Sequence, residues 1–122
     1  MCIRGENILI EYNLYNDDCI NVLKKIDNNK VYLILTDPPY NLGNFMKNRD
    51  TNLNKMRDNF FVGAGWDNLE TTDWEQSMDD FFKESSRIIK IGGSAIVFMS
   101  IIKVETIIRI AEKHKEQKHY HV

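Results

Sequence analysis

Five apolar residues, Val31-Tyr32-Leu33-Ile34-Leu35, run without a break and end abruptly in Thr36-Asp37-Pro38-Pro39-Tyr40. This junction constrains the fold more than any other stretch of the chain. A short apolar run between turn signals predicts a strand buried on both faces, as in a parallel sheet. Two consecutive prolines cannot continue a hydrogen-bonded ladder, so the strand must stop there. In an open α/β sheet, the carboxyl ends of strands are where ligands bind.

The flanking pattern fits such a sheet. Residues 8–15 read as a first strand. Asp17 and Asp18 are placed to cap a helix, and Cys19, Val22, Leu23 and Ile26 mark its apolar face. Thr72-Asp73-Trp74-Glu75 has the form of a capping box. Trp74, Met78, Phe81, Phe82, Ile88 and Ile89 follow at helical spacing, and Gly92-Gly93 supplies a stop. Residues 95–99 predict another buried strand. Val104, Ile107, Ile108 and Ala111 predict one face of a last helix. Strands alternating with helices predict an α/β fold, a mostly parallel sheet with flanking helices on both faces.

At 122 residues the chain is the size of one domain. Sixteen basic against eighteen acidic residues give a net charge of −2, which argues against a strongly basic DNA-coating protein. The charge is uneven, however. Residues 41–60 carry four basic side chains (Lys47, Arg49, Lys55, Arg57) against two acidic ones; residues 67–84 carry one basic against seven acidic. Residues 41–66 predict a long polar loop, and loops of that length are often functional. No apolar run is long enough to span a membrane, and no secretory signal is visible. Cys2 and Cys19 form no metal-binding or redox pattern, which suits reduced thiols in the cytoplasm. The end of the chain, residues 114–122, breaks the helical face. Its three histidines predict a disordered tail ahead of a metal site.

Asp37-Pro38-Pro39-Tyr40-Asn41 is the strongest chemical signal. Its plain structural reading is a proline-braced turn with an acid at its head. Its chemical reading is a rigid, acceptor-rich pocket mouth with an aromatic ring. Such a mouth suits a ligand presenting an amino group and a flat π-face, as a nucleobase does. Asp37 and the Pro38 carbonyl would accept the two amine hydrogens, and Tyr40 would stack on the ring, worth about 1–3 kcal/mol per base. A base in a duplex must be flipped out to reach such a site.

Thr36-Asp37-Pro38-Pro39-Tyr40-Asn41-Leu42-Gly43 resembles the catalytic motif of amino-methylating DNA methyltransferases. Asn16-Asp17-Asp18-Cys19, Gly65-Trp66-Asp67 and Arg87-Ile88-Ile89-Lys90-Ile91-Gly92-Gly93-Ser94 are similar to further segments of that family. The resemblance spans about residues 8–113. It implies a partial Rossmann-like S-adenosylmethionine-dependent sheet over residues 1–113, with 114–122 as a tail. It implies transfer of a methyl group to adenine N6, ahead of cytosine N4, in restriction–modification, with no metal. Residue by residue, it places Asp37, Pro38, Pro39 and Tyr40 at the target amine. Asp17, Asp18 and Asp37 would lie near the cofactor, and Lys47, Arg49, Lys55 and Arg57 near phosphates of double-stranded DNA.

The chain departs from the family in one large respect: its one Gly-x-Gly, in Phe61-Val62-Gly63-Ala64-Gly65, lies in the predicted long loop and precedes no strand–helix unit, so it is not placed as the family's glycine loop that cradles the cofactor's methionine end. It resembles the N-terminal part of the subclass whose Asp-Pro-Pro-Tyr motif comes first. This predicts a fragment, inactive alone, with a complementary C-terminal fragment as partner. Two other readings stand beside it: an RNA amino-methyltransferase, and a non-catalytic DNA- or partner-binding remnant.

Overall fold

The computed structural model describes residues 2–5, 8–42, 69–115 and 119–121. Its centre is a parallel three-stranded sheet in the order β3-β4-β5, formed by Val31–Thr36, Ile89–Val97 and His119–His121. Among the described residues three helices accompany it: α1 (Cys19–Lys24), α2 (Thr71–Ile88) and α3 (Val104–Lys113). The architecture is α/β with a parallel sheet flanked by helices, as the alternating pattern predicts.

The helices α2 and α3 bury an apolar stripe, and α1 half-buries one. Trp74, Met78, Phe81 and Phe82 of α2 meet Ile107, Ile110 and Ala111 of α3 and Val97 of β4 in one core. Ile20 and Leu23 of α1 and Ile34 of β3 pack against that core. Two faces differ slightly from expectation. In α1, Ile20 turns inward and Cys19 is exposed. In α3, Ile110 is buried while Ile108 remains 43% exposed. The capping box is not realised either: α2 begins at Thr71, its N-cap is Glu70, and no side chain caps it.

Strand β3 is not buried on both faces. Ile34 and its register partner Ala95 belong to the helix side, where Ala95 and Val97 are fully buried. Leu33 and Leu35, in register with Ser94 and Ile96, belong to the other side and are 52% and 63% exposed. The cause is topological. The crossovers β3-α2-β4 and β4-α3-β5 step across the sheet in the same direction. Right-handed crossovers stepping one way lay their helices on one face.

Three further corrections concern strand boundaries. Residues 8–15 do not join the parallel sheet; Ile8–Glu11 (β2) pairs antiparallel with Cys2–Gly5 (β1) in a separate two-stranded sheet. The Gly-Gly pair does not end a helix. It lies within β4, where the register slips between Val31 and Leu33 so that β4 bulges. Gly92 takes the left-handed φ of 78°, and a Cβ on Gly93 would meet the Tyr32 carbonyl oxygen at 2.9 Å and Ile89 Cγ2 at 2.7 Å. Both positions therefore demand glycine. Finally, the tail expected to be disordered contributes β5, whose His119, Tyr120 and His121 pair with Ser94, Ala95 and Ile96. An open β4 edge gives even a short segment a ladder to join.

Candidate functional site

The site is built on the abrupt end of β3. Phe98 N–H donates to the Thr36 carbonyl at 2.9 Å, the last rung between β3 and β4. Beyond it the prolines fix φ near −65° and hold the residues before them extended. Asn41 then takes a left-handed φ of 52° and is buried. Asparagine tolerates that conformation better than most residues. Asp37 is exposed, and Pro38, Pro39 and Tyr40 are half-buried.

Two hydrogen bonds set the shape of this turn. The Tyr40 hydroxyl donates to Asp37 Oδ1 at 2.5 Å. That bond favours the neutral phenol and raises the Tyr40 pKa above its ordinary value of 10, with burial and the negative charge of Asp37 adding to the shift. The Trp74 indole N–H, from the first turn of α2, donates to the Pro39 carbonyl at 2.8 Å. Trp74 is 1% exposed, and the Lys103 ammonium lies 4.9 Å from its ring centroid. An aspartate and a tyrosine ring are thus brought together at an open strand end. The arrangement presents hydrogen-bond acceptors beside a π-face.

Asp17 and Asp18 stand before α1, engaged in local bonds. Asp18 caps the helix by accepting from Ile20 N–H at 2.8 Å. Asp17 accepts from Asn21 Nδ2 at 3.2 Å and pairs with Lys25 Nζ at 3.1 Å. Its pKa is lowered, by the bond from Asn21 first and by Lys25 next. Lys47, Arg49, Lys55, Arg57 and Trp66 lie outside the described residues. Among the described residues no group of three or more His, Cys, Asp or Glu could hold a metal ion. No described helix is long and apolar enough to cross a membrane.

The sequence places Trp74 on the apolar face of its helix and does not show its bond to Pro39. Its only sequence signal is generic: a buried indole N–H must find an acceptor. Arg87 is missed in a similar way. It suits the end of its own helix dipole, yet its guanidinium reaches α1 and the turn after it. It donates to the Leu23 carbonyl at 2.9 Å, the Ile26 carbonyl at 2.7 Å and Asn28 Oδ1 at 2.7 Å, while pairing with Glu84 at 2.8 Å.

No protein-family model matches the chain. The Type II methyltransferase M.HpaI of Haemophilus parainfluenzae is 28% identical to it over 104 residues, which is 85% of this chain and 28% of that protein. The chain therefore spans less than a third of the length of the curated relative it matches. The class of protein to which the similarity points is methyltransferases. The parallel sheet with its flanking helices is consistent with a partial Rossmann-like methyltransferase fold.

Proposed function

We propose that this chain forms part of an S-adenosylmethionine-dependent DNA methyltransferase that acts on the exocyclic amine of a flipped base. Adenine N6 is favoured over cytosine N4, restriction–modification is the setting, and the cytoplasm is the compartment. The observation that carries the proposal is the rigid turn after β3, which holds an exposed Asp37 carboxylate against Tyr40. The distant similarity to a Type II methyltransferase over most of the chain supports it.

S-adenosylmethionine, when bound, supplies an electrophilic methyl group on a sulfonium. The chain's own residues prepare the acceptor. Asp37 and the Pro38 carbonyl accept the amine hydrogens, which localises the nitrogen lone pair otherwise delocalised into the ring. Tyr40 supplies the stacking face. In the present arrangement its hydroxyl occupies an oxygen of Asp37, so an arriving amine displaces that hydroxyl as the ring moves onto the base. The amine would attack the methyl carbon directly, without a covalent enzyme intermediate; the carbon–sulfur bond would break as the nitrogen–carbon bond forms, the neutral thioether would leave, and the methylated amine would then release its proton to solvent. Asp37 acts by hydrogen bonding, because the amine becomes acidic only once methylated. On the family pattern, Lys47, Arg49, Lys55 and Arg57 contact phosphates of double-stranded DNA.

In this reading the cofactor site is incomplete among the described residues. Asp17 and Asp18 are committed to local bonds, and the Gly-x-Gly of Phe61-Val62-Gly63-Ala64-Gly65 lies outside the described residues and precedes no predicted strand–helix unit. A complementary methyltransferase segment would complete it. The sheet face bearing Leu33, Leu35 and Phe98, opposite the described helices and more than half exposed at each of the three, is the surface such a segment would cover.

The test measures transfer of labelled methyl groups to duplex DNA. The chain would be assayed alone and together with the polypeptide encoded beyond Val122. Transfer is expected only with both present, and Asp37→Ala should abolish it. Transfer that survives Asp37→Ala would refute the amine-site assignment. Transfer by the 122-residue chain alone would refute the incomplete site.

A further inference from the structure

We propose that Trp74 is a positioning residue whose indole N–H, by holding the Pro39 carbonyl, fixes the geometry of the Asp37-Pro38-Pro39-Tyr40 turn. The turn is poor in means of anchoring itself. Pro38 and Pro39 have no N–H to donate, and the bond between Tyr40 and Asp37 lies within the turn. The tether from outside comes from α2, 35 positions further along the chain, at 2.8 Å. That anchor is stiff, because Trp74 sits in the same core as Met78, Phe81 and Phe82. Its ring is 1% exposed, so it cannot stack on an incoming base.

Lys103, the N-cap residue of α3, lies over the ring at 4.9 Å from the centroid. A cation over the π-face draws electron density from the indole and strengthens its N–H as a donor. One side chain therefore ties together the end of β3, the start of α2 and the start of α3. A carbonyl misplaced by even an ångström would re-aim Asp37 and Tyr40 on either side of it. The functional meaning of this rests on the amine-docking reading; the tether itself does not.

The experiment follows assigned NMR resonances of the full chain. In the unmodified protein the Trp74 indole hydrogen should exchange roughly a hundredfold or more slower than a free indole. Trp74→Phe keeps an aromatic ring in the core and removes the donor. In that variant the Pro39 carbonyl carbon and the Asp37 and Tyr40 signals should shift, and Tyr40 should titrate closer to its ordinary value of 10. A folded Trp74→Phe chain in which those signals stay in place leaves Trp74 a packing residue and overturns the proposal. Should the variant not fold, fast indole exchange in the unmodified chain overturns it equally, and slow exchange upholds it. Neither readout involves DNA or methyl transfer, so failure of the tether and failure of the proposed function are separately visible.

Discussion

Asp37 and Tyr40 hold each other through one hydrogen bond, and the bond has a pH signature. Because Asp37 raises the Tyr40 pKa, the neutral phenol is the favoured form in the folded chain. The stability it contributes is fully present below the unfolded tyrosine pKa of about 10 and is lost as pH rises through the higher folded value. Ultraviolet titration of phenolate should show one late-ionising tyrosine, and Asp37→Asn should bring it back toward the others. Asp79 behaves in the opposite sense. Its pKa is lowered, first by the bond from His114 and then by that from Lys113. Its contribution is present above the unfolded aspartate pKa of about 3.9 and is lost as pH falls through the folded value. Replacing Asp79 with Asn should flatten the acid limb of a plot of thermal midpoint against pH. The aspartate and the tyrosine of the turn are both legible in the sequence, since their spacing within one short motif makes a local contact unavoidable. The Trp74 and Lys103 contacts are not legible, because they depend on how helices 30 or more positions away are set down on the sheet.

At the scale of elements, Arg87 and the glycine pair hold the sheet to its helices. Arg87 satisfies the Leu23 and Ile26 carbonyls at the end of α1, and its own backbone carbonyl accepts from Asn29 N–H at 3.1 Å. Arg87→Ala would take the guanidinium from the Ile26 carbonyl and from the largely buried Glu84 carboxylate, while the Leu23 carbonyl keeps the Ile26 N–H, a loss of about 2–3 kcal/mol by urea denaturation. Arg87→Lys should recover less than half of this, because an ammonium lacks the planar fork. Gly93→Ala would force Cβ to within 2.9 Å of the Lys90 and Tyr32 carbonyl oxygens. It should cost about 1–3 kcal/mol, read in the same way. Gly92→Ala meets no atom within 4 Å and should cost only the left-handed backbone penalty of about 1–2 kcal/mol. The sequence announces three helices and two central strands through periodicity. It misleads at Gly92-Gly93, because the glycine that ends a helix and the glycine that permits a bulge look alike. It also misleads at residues 8–15, where a β-rich stretch says nothing about which strand it will pair with.

At the largest scale, the decisive property is that the described helices lie on one side of the sheet. Leu33, Leu35 and Phe98 are each more than half exposed, and an apolar face of this kind promotes association. Replacing Leu33 and Leu35 with Thr should lower light scattering of the purified chain. It should change the thermal midpoint little, since exposed substitutions typically shift stability by about 0.5 kcal/mol or less. A large fall in the midpoint would show that the face is already covered within the chain. The apolar run of β3 suggests two covered faces because hydrophobicity records what a strand is suited to meet, which includes polypeptide beyond the region it shares with its helices. The pairing of Val31 with Ile89 has one more consequence, in time. During synthesis β3 leaves the ribosome about 60 residues before β4. At about 5–20 residues per second that is a wait of several seconds. Arg87, which seals α1, arrives only two positions ahead of Ile89, so the first half of the chain cannot set until both emerge. A nascent chain with an apolar strand exposed for that interval is a natural client for a holding chaperone.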